Sequence, residues 1–262
     1  QVEASCASLE PGKIDLLYLH APDGDTPIEE TLGELKKLHD EGKFSRLGLS
    51  NFPAWEVVLI HQRAKEMGLP APSVYQGMYN CVTRACESEL IPALKKLNMR
   101  FLVYNPLAGG LLTGKHAMME TTGDDDDDVV VAAGGGGEGG GRGGRFKDNA
   151  MYQDRFWKVE YFEAVDKIRA ACESCGGAEK GLTPAAAALR WLYSHSQLDG
   201  AKGDGVILGA SSVEHLEANL EAAAAAARGD KLPDPVLEAI EAACDVCRPA
   251  APPYSRGHSK IA

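Results

Sequence analysis

The chain has 262 residues, 44% hydrophobic and 25% charged, which is enough apolar material for one large α/β domain or two small ones. The net charge of −11 argues against a nucleic-acid or anionic-membrane partner, because both favour a basic surface. No apolar stretch in the sequence is long enough to span a bilayer.

Short apolar strands alternate with helical segments along the chain. The sequence predicts the tail of a helix at 2–9, strands at 14–20, 44–52, 73–80, 100–104 and 205–209, and helices at 26–41, 55–67, 87–97, 183–194 and 212–227. Strands joined by helices imply right-handed crossovers and a parallel sheet. Polar residues stand at the carboxyl ends of these strands, namely His20, Ser50, Asn51, Gln76 and Asn105. This pattern is typical of the active face of a (β/α)8 TIM barrel.

Residues 121–144 interrupt this alternation with five aspartates and a glycine-rich run. Such a composition cannot build a core, so it predicts a flexible, low-complexity surface insertion. Its glycines do not lie between a strand and a helix and are not a dinucleotide fingerprint.

Five strands are visible where a closed barrel needs eight, and an open arc leaves unpaired strand edges. The first residue is Gln1 rather than Met. We therefore expect residues 1–262 to be a single barrel domain that is incomplete at its N-terminal end, with only about the last five β/α units present.

Two C-x-x-C pairs, Cys172/Cys175 and Cys244/Cys247, could bind zinc or act as redox centres. Both pairs lie in helical stretches without a histidine at ligand spacing, so small buried hydrophobic side chains are the favoured interpretation, and we expect no metal site. The odd total of seven cysteines favours a reducing compartment, and we expect a cytoplasmic protein.

Several motifs together resemble the aldo-keto reductases, and most closely their aflatoxin B1 aldehyde (succinic semialdehyde) reductase branch. They are LYLHAPD, EGKFSRLGLSNF, VYQGMYN, YNPLAGGLLTGK, the ALRW helix and VILGASSVEHLEAN. The resemblance runs over nearly the whole chain and is interrupted by the insertion. It implies a (β/α)8 barrel that binds NADPH without a Rossmann domain and reduces aldehydes.

His20 matches the family's catalytic histidine. From the residues alone, His20 shares a strand face with Tyr18 and stands at the strand end, where a neutral imidazole can donate a hydrogen bond to a carbonyl oxygen. An ordinary strand-end histidine is the alternative. The resemblance puts the family's Asp, Tyr and Lys before Gln1, and Tyr18 cannot replace the tyrosine because it lies two residues deeper, about 6.5 Å along the strand.

The resemblance also assigns cofactor contacts. It implies that Ser50, Asn51 and Gln76 bind the carboxamide of the nicotinamide and that Tyr104 stacks on the nicotinamide ring. The loop over the pyrophosphate comprises Asn105, Leu107, Gly109, Leu111, Gly114 and Lys115. Ala210, Ser211, Ser212 and Asn219 match the segment that binds the adenine ribose and its 2′-phosphate. Arg145 matches a basic residue that can close over the cofactor.

Two residues depart from the family's adenosine pattern. His215 stands where many members have arginine, and Ala218 stands where a polar contact is common. NADPH remains the expected cofactor in preference to NADH.

Tyr152 and Arg155 match a substrate-facing pair, and Arg256 matches a near-terminal arginine that holds a substrate carboxylate, a task suited to a bidentate guanidinium. The chain continues past Arg256 with GHSKIA, which leaves its placement open. As isolated residues, all three could equally be surface groups.

These observations lead to an expected NADPH-dependent aldehyde reductase acting on a small aldehyde, as a homodimer or within a larger complex. The alternative is a non-catalytic barrel subunit of a larger assembly. Because three of four catalytic residues are expected upstream, we also expect residues 1–262 alone to be inactive.

Overall fold

The computed structural model describes residues 1–9, 12–116, 119–121, 130–132 and 144–261. Within that part of the chain, five parallel strands form the main sheet and two short strands form a separate antiparallel pair. The strands are β1 (Ile14–Leu19), β2 (Phe44–Ser50), β3 (Val74–Met78), β4 (Arg100–Tyr104), β5 (Met119–Thr121), β6 (Val130–Ala132) and β7 (Gly205–Val206). The main sheet has the order β1-β2-β3-β4-β7, and β5 pairs with β6.

Helices follow the strands of the main sheet and pack against it. They are α1 (Val2–Ser8), α2 (Ile28–Asp40), α3 (Ala54–Glu66), α4 (Leu90–Leu97), α5 (Ala150–Phe156), α6 (Val159–Ser174), α7 (Pro184–Ser194), α8 (Val213–Ala227) and α9 (Asp234–Cys247). Apolar spacing fixes the buried faces: α2, for example, buries Ile28, Leu32 and Leu35 on one side. In α7, Thr183 accepts a hydrogen bond from the Ala186 amide, and proline occupies the first turn.

The strand register brings the carboxyl ends of the strands to one edge of the sheet. Leu19 is paired with Leu49, Ser50 with Gln76, and Met78 with Tyr104. The residues that follow or end these strands therefore lie at the same edge.

Gly48 shows how tightly neighbouring strands pack below that edge. It is the register partner of Tyr18, and a Cβ atom at Gly48 would lie 2.6 Å from the Tyr18 ring. The missing side chain is what lets the Tyr18 ring lie across β2.

The five predicted strands and the predicted helices are confirmed as elements of a parallel α/β fold, with small differences at their ends. The last strand is shorter than predicted, although Ile207 N still donates a hydrogen bond to Val103 O (2.8 Å). Most of the predicted insertion lies outside the described residues, and its flexibility stays a prediction. The antiparallel pair β5/β6 was not predicted, and its second strand, Val130–Ala132, lies within residues 121–144.

The cysteine pairs lie where the helical interpretation put them. Cys244 and Cys247 are buried in α9, and Cys172 is buried at the end of α6, with the half-buried Cys175 next to it. Burial raises the pKa of Cys172 to about 11 and of Cys247 to about 12, as expected for thiols packed among apolar groups. No helix in the described ranges is long and apolar enough to cross a membrane.

Candidate active site

Asn51 is the centre of the hydrogen bonds at the carboxyl edge of the sheet. Its Nδ2 donates to the carbonyl oxygen of His20 (2.7 Å) and to Oγ of Ser50 (3.0 Å). Its Oδ1 accepts from the hydroxyl of Tyr104 (2.7 Å). Asn51 has a φ of 66°, a left-handed conformation that asparagine tolerates better than most residues. One side chain thus ties the ends of β1, β2 and β4 together.

Tyr104 ends β4 with its hydroxyl among polar groups. Burial raises the pKa of Tyr104, while the positive charges of Arg155 and Arg256 and a hydrogen bond with Arg256 act in the opposite direction. The structure therefore brings two of the predicted substrate residues, Arg155 and Arg256, to the predicted nicotinamide residue.

Tyr18 and Gln76 lie next to this edge. Burial raises the pKa of Tyr18, and a hydrogen bond with Gln76 opposes that rise only in part. A general acid in this position would need a lowered pKa. Burial instead raises the pKa of both Tyr18 and Tyr104, and the statement that Tyr18 does not replace the acid stays a prediction.

His20 directly follows β1, and its side chain is exposed at the sheet edge. Its backbone carbonyl accepts from Asn51, which fixes the backbone of this exposed residue. The exposed ring is accessible to a small carbonyl compound.

The loop after β4 needs residues that accept positive φ angles. Asn105, Gly109 and Gly114 have φ angles of 54°, 72° and 73°. A Cβ atom at Gly109 would lie 2.8 Å from Cδ1 of Tyr152, so only glycine leaves room for that ring. Of the two predicted leucines of this loop, Leu107 is half-buried and Leu111 is buried in the core.

Tyr152 joins the loop to Arg145. Its hydroxyl donates to Oδ1 of Asn105 (3.2 Å) and accepts from Nη1 of Arg145 (2.9 Å). The Arg145 guanidinium lies 5.5 Å from the centre of the Tyr152 ring, a cation–π contact. Tyr152, which was predicted to face the substrate, and Arg145, which was predicted to bind the cofactor, are therefore in direct contact.

A second group of predicted residues lies where the same loop meets the start of α8. Nζ of Lys115 lies 2.8 Å from Nε2 of His215, and Nδ1 of His215 lies 3.1 Å from Oγ of Ser211. Since the ammonium group can only donate, this arrangement needs a neutral His215 with its proton on Nδ1. The Ser212 hydroxyl caps the helix by accepting from the amide of His215 (3.2 Å).

Two other members of the adenosine segment differ in exposure. Ala210 is exposed on the surface. Asn219 is buried, and its Nδ2 donates to the carbonyl of Gly209 (3.4 Å), so its amide holds the backbone of the segment.

Two buried polar atoms at this edge have no hydrogen-bond partner in the described chain. They are Nδ2 of Asn105 and Nη1 of Arg155. A buried donor without an acceptor costs about 1–3 kcal/mol, so both atoms are candidates for pairing with acceptor atoms of a ligand.

Sequence reasoning missed several residues that support the site. Asn80 donates to the carbonyl of Asn105 (3.0 Å), and Arg169 donates to the carbonyl of Gly114 (3.0 Å), which fixes both ends of the loop. Neither residue carries a periodicity or spacing signal, because each acts on a backbone group far away in the sequence. No group of three or more His, Cys, Asp or Glu residues in the described ranges could hold a metal ion.

Comparison with known proteins gives relatives along almost the whole chain. The rat aflatoxin B1 aldehyde reductase member 2 is 44% identical over 259 residues, which is 98% of this chain and 65% of the rat protein. The human aldo-keto reductase family 7 member A3 is 43% identical over 98% of this chain and 72% of its own length. The oxidoreductase sirO of Leptosphaeria maculans is 35% identical over 97% of this chain and 69% of its own length.

The chain thus spans just under two thirds of the length of the rat, human and mouse aflatoxin B1 aldehyde reductases member 2 that it matches. These matches do not support the expectation that only about five β/α units are present. The family model described as "Aldo/keto reductase family" matches residues 1–234. The motifs, the parallel α/β fold and these matches agree, and the chain belongs to the aldo/keto reductase family.

Proposed function

We propose that the protein reduces aldehydes to alcohols with NADPH, on a (β/α)8 barrel whose described residues include five parallel strands. The observation that carries the proposal is the cluster at the carboxyl edge of the sheet, where Asn51 binds the His20 carbonyl and the Tyr104 hydroxyl, and where Asn105, with its unpartnered Nδ2, follows Tyr104. The names of the relatives, which include several aldehyde reductases, support the same reaction class.

The nicotinamide end of the cofactor fits the residues at the carboxyl ends of β2, β3 and β4. Tyr104 offers a ring face, and the Gln76 amide offers both a donor and an acceptor for a carboxamide. Both amide hydrogens of Asn51 are already donated to His20 and Ser50. Asn51 would therefore act as an acceptor for the carboxamide and keep Ser50 and Tyr104 in place.

The phosphate groups fit the loop and the start of α8. Positive-φ glycines allow close approach to the backbone, and Lys115 supplies a charge next to the helix N-terminus. Ser211, Ser212 and Arg145 would hold the 2′-phosphate. A methyl group at Gly209 would lie 3.5 Å from Nη2 of Arg145, so this guanidinium already reaches the segment before α8.

The carbonyl chemistry falls to His20 and its neighbours. Bound NADPH would supply the hydride, and the neutral imidazole of His20 would donate a hydrogen bond to the carbonyl oxygen as negative charge grows there. Tyr152, Arg155 and Arg256 would line the substrate side, the two guanidinium groups favouring aldehydes that carry a carboxylate.

By the family resemblance, the general acid is expected to be a tyrosine, and none of the described residues is assigned that role. The comparisons do not support the expectation that residues 1–262 alone are inactive, and it forms no part of this proposal. The alternative of a non-catalytic subunit is not favoured by them, because their curated names describe reductases. The cytoplasmic setting and the assembly state also stay predictions.

A fluorescence titration followed by an assay tests the proposal. We expect NADPH to quench the tryptophan and tyrosine emission of the protein, and 4-nitrobenzaldehyde to be converted to its alcohol with one NADPH consumed for each molecule. A protein that binds NADPH but converts no aldehyde would contradict the proposed reaction.

A further inference from the structure

The C-terminal strap, defined as residues 254–261, runs across the N-terminal ends of α2 and α3. At its start, the hydroxyl of Tyr254 accepts from the amide of Ala54 (3.1 Å). At its end, Lys260 N donates to Asp23 O (3.1 Å) and Lys260 O accepts from Ile28 N (3.0 Å). The strap is thus attached at both ends to the segments that follow β1 and β2.

Glu56 holds the strap between these attachments. Both carboxylate oxygens accept from the amide of Ser259, at 3.1 and 3.2 Å, and Glu56 and Ser259 are 0% and 2% exposed. Glu56 lies in the first turn of α3, where the helix dipole favours a negative charge. Among the described residues it is the only buried carboxylate.

A fully buried carboxylate is costly unless its charge is hydrogen-bonded. An apolar side chain would fill the same space at the start of α3 without that cost, but it could not hold a backbone amide. The contact joins residues 203 positions apart and fixes a segment with little apolar surface of its own. We therefore infer that the main effect of the Glu56 carboxylate is to hold the strap in place, rather than to stabilise α3.

The strap carries Arg256 to the site. The Arg256 amide donates to the carbonyl of Asn51 (2.8 Å), whose side chain binds the Tyr104 hydroxyl, and the Arg256 guanidinium acts to lower the pKa of Tyr104. Gly257 follows with a φ of 74°, which turns the chain towards Ser259. Arg256 is exposed, so few packing contacts orient its long side chain, and its backbone anchors decide where the guanidinium lies.

We propose that Glu56 is a positioning residue: by clamping Ser259 it fixes Arg256 beside Tyr104 and so sets the preference for aldehydes that carry an anionic group. This inference rests on the proposed aldehyde reduction. It predicts that Glu56 acts through Arg256 and on charged substrates only, whereas a merely structural glutamate would affect all substrates alike.

The test compares succinic semialdehyde, which carries a carboxylate, with uncharged 4-nitrobenzaldehyde. Glu56→Gln keeps the volume of the side chain but turns one acceptor into a donor that faces the Ser259 amide. We expect the KM for succinic semialdehyde to rise about tenfold, as for one lost charge-assisted hydrogen bond. The KM for 4-nitrobenzaldehyde and both kcat values should stay within about twofold, and amide exchange at Ser259 should accelerate.

A double-mutant cycle decides whether the effect passes through Arg256. Arg256→Ala should raise the same KM, and Glu56→Gln should add nothing in the Arg256→Ala background. The matched control is Glu66→Gln, the same change on the exposed end of α3, which should alter neither substrate. Additive losses, or equal KM changes for both aldehydes, would overturn the proposal.

Calorimetric binding of succinate separates this inference from the proposed function. If the wild-type protein reduces neither aldehyde, the proposed function fails, while the strap is still judged by succinate. Loss of succinate binding in both Arg256→Ala and Glu56→Gln supports the positioning role. Succinate binding that survives Glu56→Gln, or that is absent from the wild type, rejects it.

Discussion

At the scale of single residues, Asn51 combines a strained backbone with three side-chain hydrogen bonds. Asn51→Ala would leave buried groups of Ser50 and Tyr104 without partners and put alanine at a positive φ. We expect the free energy of unfolding to fall by about 2–4 kcal/mol, measured by urea denaturation with an unchanged slope.

Asn98→Ala is the control for that substitution. Asn98 ends α4 with a φ of 54° and is exposed, so it shares the backbone conformation but not the buried hydrogen bonds. A loss of only about 1 kcal/mol is expected there. Equal losses at the two positions would mean that the bonds of Asn51 add no stability.

Arg145 is the residue that we expect to distinguish NADPH from NADH. Arg145→Ala should weaken NADPH binding by about tenfold or more and NADH binding far less, because only NADPH carries the 2′-phosphate. Fluorescence titration with both cofactors measures the difference. Tyr152→Phe, which removes only the hydroxyl bonded to Arg145, is the comparison, and equal weakening of the two cofactors by Arg145→Ala would remove Arg145 from that role.

At the scale of elements, the loop after β4 depends on Gly109. Gly109→Ala would bring a methyl group to 2.8 Å from the Tyr152 ring and displace the residue that bonds Asn105 and Arg145. We expect weaker NADPH binding and a loss of stability of about 1–3 kcal/mol, measured by titration and by denaturation.

Gly42→Ala is matched to that change in backbone conformation. Gly42 has a φ of 73°, close to the 72° of Gly109, but a methyl group there meets no atom within 4 Å. The control should lose only the strain of the positive φ and bind NADPH normally. If both variants bind NADPH equally well, the contact of Gly109 with Tyr152 has no part in the site.

The elements were predictable where a local pattern defines them. Apolar runs ending in polar residues predicted β1 to β4 and the edge that holds His20, Ser50, Gln76 and Asn105. The contact of Glu56 with Ser259 was not predictable, because it joins a helix to a loop 203 residues away without any repeat or motif. The family resemblance predicted roles for Arg145 and Arg256. Their contacts with Tyr152 and Asn51 follow only from the three-dimensional fold.

At the scale of the whole molecule, buried thiols link stability to alkaline pH. The pKa of Cys172 is raised to about 11 from an ordinary value near 9, so the unfolded chain loses this proton first as pH rises. The stabilising effect is complete below about pH 9 and is lost as pH approaches about 11. Cys172→Ala should therefore reduce the decline of unfolding free energy over this interval, whereas Ser174→Ala, an exposed change on the same helix, should not. A decline unchanged by Cys172→Ala would contradict this account.

The proposed function places aldehyde reduction at the sheet edge beside His20. The steady-state rate of NADPH oxidation with 4-nitrobenzaldehyde measures that reaction. We expect turnover by the wild type and a kcat about 10²–10³ lower in His20→Ala, the cost of removing one preorganised donor to the carbonyl oxygen. His61→Ala, on α3 outside the site, should keep the wild-type rate. A His20→Ala variant as fast as the wild type would contradict the account.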